Sequence, residues 1–366
     1  MKINSIVFRY IFKEMLPPFV INLLFFTFVF MMTKLLDITN LIVNYKISLS
    51  VVGLLLLYSV PHFLEFVIPM SIMMAVLLTF VRLSGDNEIV ALKAGGVSIY
   101  GLLPPVLLFC LMGCLLTGFI MIYGLPWGTL SFKNLTLKVI TSNVKIGLKE
   151  RIFNDSFKGM MLYVNKIDLK NNSLINIFIE DKRTKDIVST VISPRGELFH
   201  DPDKFSYHLR LYNGTINQVD LNRRAVHSIN FDAYDINLDY NKAVSAARKI
   251  TKDEKEMYLG ELQQYLKTAL KNDKYYETLV EFHKKFSIPF ACFIFGLLAL
   301  PLGIQTKSVK RSYSFGLGLF YILFYYLLLS AGLVFCKTGV YPAVIGMWLP
   351  NIVIGSIGLF LFVKSA

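Results

Sequence analysis

Apolar residues run along this chain in blocks, and the spacing within the blocks changes along the chain. Six stretches, at roughly 15–36, 51–81, 99–124, 286–304, 313–335 and 342–363, are nearly continuous in apolar side chains. A hydrocarbon core about 30 Å thick needs about 20 apolar residues in a helix. The pattern therefore predicts six membrane-spanning helices in two groups of three. The second stretch is long enough to tilt or to project beyond a bilayer. It carries Pro61 and Pro69, each of which removes a helix hydrogen bond and favours a kink.

Between the two groups, from about Lys133 to Tyr240, the apolar period becomes two. Ile175, Ile177 and Ile179 alternate with polar neighbours, as do Phe205, Tyr207, Leu209 and Leu211, and Ile229, Phe231 and Ala233. Turn-forming residues punctuate these runs at Asn171-Asn172, Pro194-Arg195-Gly196, Asp201-Pro202-Asp203 and Asn213-Gly214. Asn-Gly between alternating segments is a strong hairpin signal, so the insert is expected to be an antiparallel sandwich or jelly roll. Thr251-Lys252-Asp253-Glu254 has capping-box spacing. The stripe Leu259, Leu262, Leu266 and Ala269 then predicts a helix leading back to the fourth span. The expected organisation is residues 1–130 for the first three spans, 131–245 for the β domain, 246–281 for a connecting helix and 282–366 for the last three spans.

Composition supports a membrane protein. Of 366 residues, 54% are hydrophobic and 17% are charged, below the usual ~25%, and mean hydropathy is +0.53. The net charge of +13 is explained by basic residues flanking the apolar runs rather than by a nucleic-acid footprint. Lys2, Arg9, Lys13, Arg82, Lys93, Lys307, Lys310, Arg311 and Lys364 fall on one side, and only Lys46 and Lys337 lie in the short loops of the other. Nine against two predicts cytoplasmic termini and a β domain on the far side. The first apolar run is too long for a signal core and lacks a small-x-small cleavage site, so it is expected to be retained. The four cysteines fall in or beside apolar runs with no CxxC, which disfavours a disulfide framework.

No enzyme signature is present. The dipeptide Gly-Lys does not occur, which excludes a Walker A loop. HExxH and GxSxG are absent, and the five histidines are scattered. No cofactor or metal is expected. The informative loop is RLSGDNEIVALKAGGVS at 82–98. Asp86 is placed to cap a short helix, Glu88 suits its first turn, Ile89, Leu92 and Lys93 share one face, and Gly95-Gly96 stops it. Such a helix either lies on the membrane surface or docks a cytoplasmic partner. His62 and Glu65 fall inside the second span, at headgroup level, facing a wet cavity or serving a function. Lys34, and the pair Lys284-Lys285 at the expected outer mouth of span four, either snorkel to the interface or meet a lipid phosphate. Span five is rich in glycine and aromatics, including Tyr321, Phe324, Tyr325 and Tyr326, a composition that helix packing explains.

RYIFKEMLPPF at 9–19, VPHFLEFVIPM at 60–70, the 82–98 segment and ALPLGIQTKSVKRSYSFGLGL at 299–319, in this order around a β insert, resemble the YjgP/YjgQ-type permeases, the LptF and LptG subunits of the lipopolysaccharide exporter. The KLLDITNLIVNYKISL stretch inclines the resemblance toward the F-type. It implies six spans, a periplasmic β-jelly-roll domain, a heterodimer with a paralogous permease subunit, and a dimeric cytoplasmic ABC ATPase beneath. It further implies lateral entry of lipopolysaccharide between spans one and five and delivery to a periplasmic jelly-roll bridge protein. Carried onto this chain, the resemblance makes 86–96 the ATPase-coupling helix, with Glu88 facing a basic residue of the ATPase. Lys34 becomes a lipid A phosphate ligand, Tyr321, Phe324 and Tyr325 lie at the lateral gate, and Phe205, Tyr207 and Leu209 are acyl-chain contacts. The reading left beside it is a membrane-anchored scaffold whose β domain binds a protein partner without transport.

Overall fold

The structure, a computed structural model, describes residues 5–45, 47–142, 150–157, 159–168, 173–184, 187–201, 206–220, 225–238, 252–270, 272–304, 311–339 and 341–365. They fall into two compact units, residues 1–36, 56–132 and 252–366 in one and residues 37–55 and 133–251 in the other.

Nine α-helices are described: α1 Ser5–Tyr45, α2 Leu49–Gly85, α3 Glu88–Ala94, α4 Leu103–Phe119, α5 Leu125–Ser142, α6 Leu259–Thr268, α7 Asp273–Ile304, α8 Arg311–Lys337 and α9 Ala343–Ser365. Six helical stretches are long and apolar enough to cross a membrane, as the apolar blocks predict. The third runs from Ile99 through α4, a π turn at Ile120–Gly124 and on into α5, well past the expected end at 124. The fourth begins at Asp273, before the apolar block that announces it.

The helical unit is built around α2. Every residue from Val67 to Leu77 is buried, which is why this segment is apolar on all faces rather than along one stripe. Phe80, Phe295, Leu298 and Leu300 extend the same core. Helix α7 packs against α4, α8 and α9, and α8 against α9. Where α8 crosses α9, a Cβ on Gly332 would lie 2.4 Å from the carbonyl oxygen of Gly346, so two glycines set this crossing distance. By contrast, no residue of α1 from Leu16 to Leu36 is buried among those described. That helix is held at its first turns, where Ile11 and Met15 are fully covered and Phe12 and Phe19 meet Phe109 edge-on.

The expected β insert is present. Its described strands, β1 Phe153–Phe157, β2 Met160–Asp168, β3 Ser173–Asp181, β4 Ile187–Asp201, β5 Ser206–Asp220 and β6 Ala225–Leu238, form one antiparallel sheet in chain order. Two expected turns are not turns. Pro194-Arg195-Gly196 lies within β4 and Asn213-Gly214 within β5. The reason is a crease that crosses the sheet. Ladder pairing skips Asn165 opposite Asn176, Asn176 opposite Pro194, Pro194 opposite Asn213, and Asn213 opposite Asp232. Asn176 and Asn213 adopt φ of 52° and 51°, the left-handed region asparagine tolerates, and Pro194 has no N–H to give the ladder. Ser193 Oγ lies 2.7 Å from the carbonyl oxygens of both Arg195 and Tyr212 and bridges the gap.

Strands β3, β4 and β5 each change face parity at this row. Leu174 is buried before it and Ile177 and Ile179 after; Val191 before and Leu198 after; Leu209 and Leu211 before and Ile216 after. The register is the same on both sides of the row, one residue opposite one, so the irregular residues stand in line across the strands and the buried face moves by one residue in each without a slip in pairing. Arg210 and Asp235 pair across β5 and β6 at 2.7 Å, and the hydrogen bond from Arg210 holds the Asp235 carboxyl below its ordinary range. The Asn171-Asn172 turn, residues 202–203 of the Asp201-Pro202-Asp203 turn and Thr251 of the expected capping box lie outside the described residues. A capping contact forms slightly later, with Asp253 N–H donating to Glu256 at 3.1 Å. Leu262 is buried on the inner face of α6 as the stripe predicts.

Candidate functional site

The loop between the second and third spans folds as α3. Its N-cap is Asn87, at φ 59°, rather than Asp86, and its side chain makes no capping bond. The C-terminus closes as expected at the glycine pair. Gly96 N–H donates to Lys93 O and Val97 N–H to Leu92 O, both at 3.0 Å, with Gly96 at φ 85°. This is a Schellman motif, and the left-handed φ favours a residue without Cβ. Ile89 is buried and Leu92 half-buried against the helical core. Val90 (63% exposed), Lys93 and Ala94 face outward, so Lys93 does not share the environment of Ile89 despite the spacing. The result is a short helix anchored by Ile89 and, less deeply, Leu92, with an exposed face of mixed apolar and basic character.

Three polar contacts join α3 and the adjacent end of α2 to the start of α1. Tyr10 Oη–H donates to Glu88 Oε2 at 2.8 Å. One turn along, Glu14 pairs with Arg82, and the Thr79 hydroxyl donates to the carbonyl oxygen of Glu14 at 3.2 Å. Sequence reasoning passed over Tyr10 and Glu14. Their i, i+4 spacing at the polar start of an apolar helix was the available signal.

Deeper in the helical unit lies a polar layer that the sequence placed at a membrane surface. Glu65 is fully buried on α2. Lys284 of α7 lies 3.3 Å from it and 3.7 Å from Glu281, with the Phe66 ring centroid 5.3 Å from its ammonium. His62 Nδ1, on a half-exposed ring, is 3.3 Å from Glu65. Lys285 donates to the carbonyl oxygen of Met121 at 2.7 Å. That carbonyl needs an outside donor. In the π turn, Leu125 N–H is given to Ile120 O, and the next donor in π register belongs to Pro126, which has none.

Neither lysine snorkels. They are 3% and 1% exposed, because α7 begins at Asp273 and carries them into the bundle instead of ending at them. The role expected for Lys284 and Lys285 at lipid phosphates is therefore corrected to internal pairing. Glu281, Ser287 and Asn351 were also missed. Asn351 donates to Ser287 O at 3.0 Å and accepts from Tyr325 at 3.3 Å.

The remaining expected residues separate. Lys34 is half-buried, its ammonium 5.5 Å from the Phe132 ring centroid, a cation–π distance. Tyr321 and Phe324 are half-buried on α8, whereas Tyr325 is fully buried with its ring 4.9 Å from that of Phe295. Tyr325 thus faces the bundle interior and not a lateral opening, because one residue along a helix turns a side chain by about 100°. Leu209 lies in the buried β core, Tyr207 pairs with Leu238 across β5 and β6, and Phe205 lies outside the described residues.

Comparison with curated protein sequences finds no match. A family model does match, over residues 9–364 and thus across both triplets of spans and the β insert between them, and its description is lipopolysaccharide export system permease LptF/LptG. With this match over nearly its whole length, the chain belongs to the LptF/LptG permease family.

Proposed function

We propose that this permease is one subunit of an ATP-driven complex that extracts lipopolysaccharide from the inner membrane and passes it to a periplasmic bridge protein. A paralogous permease completes the membrane part, and a dimeric cytoplasmic ATPase supplies the energy. A multi-chain amphiphile does not leave a bilayer unaided, since each buried CH₂ is worth about 0.8 kcal/mol. The chain has no P-loop lysine, so hydrolysis belongs to another polypeptide. The observation that carries the reading is α3, anchored through Ile89 and presenting Val90, Lys93 and Ala94 outward, on the side the basic loops assign to the cytoplasm. In this reading α3 is the ATPase-docking helix, and Glu88 meets a basic side chain there. Lys34 binds a lipid phosphate, Tyr321 and Phe324 line the lateral entry, and the β domain, with Leu209 and Tyr207 among its contacts, receives the acyl chains.

The test is recovery of the intact complex from membranes, with its bound lipid identified by mass spectrometry. A paralogous permease, an ABC ATPase and lipopolysaccharide are the expected companions, and purification of the chain alone with no coupled ATP hydrolysis would sink the reading. Glu88→Ala is expected to lower ATPase recovery severalfold, and unchanged recovery and hydrolysis would remove Glu88 from that role. Lys34→Asp is expected to reduce lipid extraction in reconstituted vesicles at unchanged ATPase recovery. Full extraction would return Lys34 to its ring contact with Phe132.

A further inference from the structure

If α3 docks an ATPase, its displacement must reach the helices that border the lipid. Among the described residues, the Tyr10–Glu88 hydrogen bond is a direct polar route from α3 to α1. Tyr10 lies on the first turns of α1, and its hydroxyl donates to Glu88, the first residue of α3. Behind it, at i+4 on the same helix, Glu14 pairs with Arg82 near the end of α2 and receives the Thr79 hydroxyl on its carbonyl oxygen. Beyond these turns the cover is lighter: no described residue from Leu16 to Leu36 is fully buried, and Phe19, Leu23, Phe26 and Phe30 lie half-buried against the helical core. Within the helical unit α1 is covered most fully at its first turns, at Ile11 and Met15, so a shift of that end is the one α3 can impose through side-chain contact.

We propose that Tyr10 is a positioning residue for transport. Its hydrogen bond to Glu88 couples the motion of α3 to α1, with Glu14–Arg82 as the fixed point against which α1 turns. The inference rests on the docking role of α3. It adds that Glu88 is shared, one carboxylate meeting the ATPase on one side and Tyr10 on the other. A carboxylate accepts several hydrogen bonds at once, so the two engagements are compatible. A phenol whose partner is charged makes a stronger, more directional contact than a neutral pair.

The experiment uses the complete complex in vesicles containing lipopolysaccharide, with Tyr10→Phe, which keeps the ring and removes the hydroxyl. ATPase recovery and the kcat and KM for ATP are expected to stay within about twofold, a margin set well inside the tenfold that 1.4 kcal/mol represents. Lipid extracted per ATP hydrolysed is expected to fall at least about fivefold, close to the loss of one net hydrogen bond. An unchanged extraction ratio overturns the proposal. So does a parallel loss of recovery and hydrolysis, which would make Tyr10 a matter of folding alone. A second pair of variants keeps the test sharp. Glu14→Arg should lower the same ratio, and adding Arg82→Glu should restore it; failure of the swap to restore the ratio removes the fixed point and with it the proposal. Glu88→Ala, measured alongside, separates the two levels. If it leaves ATPase recovery and hydrolysis unchanged, Glu88 has no docking role and the coupling through it falls, whatever Tyr10→Phe does, whereas purification of the chain without an ATPase sinks the docking reading itself.

Discussion

Lys284→Met is expected to destabilise the helical unit by about 3–5 kcal/mol, the cost of removing one partner from a buried ion pair. Lys284 is the only described lysine within reach of both Glu65 and Glu281, at 3.3 and 3.7 Å, and all three side chains are buried. Methionine fills the same space, so the loss is electrostatic rather than steric. Two carboxylates are then left in a region where unpaired charge is expensive, one of them with Oε1 already lacking a hydrogen bond. Glu65→Gln should be milder, because Lys284 keeps Glu281 and the amide still accepts. The measurement is thermal unfolding of both variants in one detergent. A Lys284→Met protein as stable as the parent, or more stable than Glu65→Gln, would show that water reaches this layer and that the pairing contributes little.

The second large effect is expected from a single methyl group. Gly332→Ala places a Cβ 2.4 Å from the carbonyl oxygen of Gly346 and 3.0 Å from its carbon. Backbone atoms cannot rotate aside, so α8 and α9 must separate, at the upper end of the roughly 1–3 kcal/mol typical of overpacking or beyond it. Gly316 on the same helix is the control, since nothing lies within 4 Å of a Cβ there. Gly316→Ala should be neutral or gain up to about 1 kcal/mol from helix propensity alone. Unfolding temperatures for the two variants should therefore move in opposite directions, and equal shifts would contradict the close crossing.

The same contrast between local signal and tertiary outcome runs through the β domain. Pro194 and Asn213-Gly214 carry turn chemistry, yet they lie inside β4 and β5 and do not reverse the chain. A left-handed asparagine and a proline end a strand when nothing holds the chain on either side. When neighbouring strands place their own irregular residues in the same row, as Asn176, Pro194 and Asn213 do, the chain bends and the strand continues. Alignment across strands is a nonlocal property, and no window along a single chain displays it.

By itself the sequence determined the six membrane-length helices, their grouping around a β insert, the short helix between spans two and three with its glycine stop, and the absence of a P-loop. Each is set by runs of apolar residues, by period, or by residues with only one backbone use, all of which are local. Tertiary structure alone decided where the charges go. Lys284 and Lys285 resemble snorkelling residues until α7 is seen to begin at Asp273 and bury them beside Glu65 and a proline-orphaned carbonyl. Tyr325 resembles a gate residue until its neighbours turn it inward, and Tyr10 looks unremarkable until the chain returns 78 residues later to set Glu88 against it. A charge or hydroxyl takes its role from the partner it meets, and partners distant in sequence meet only once the helices have packed.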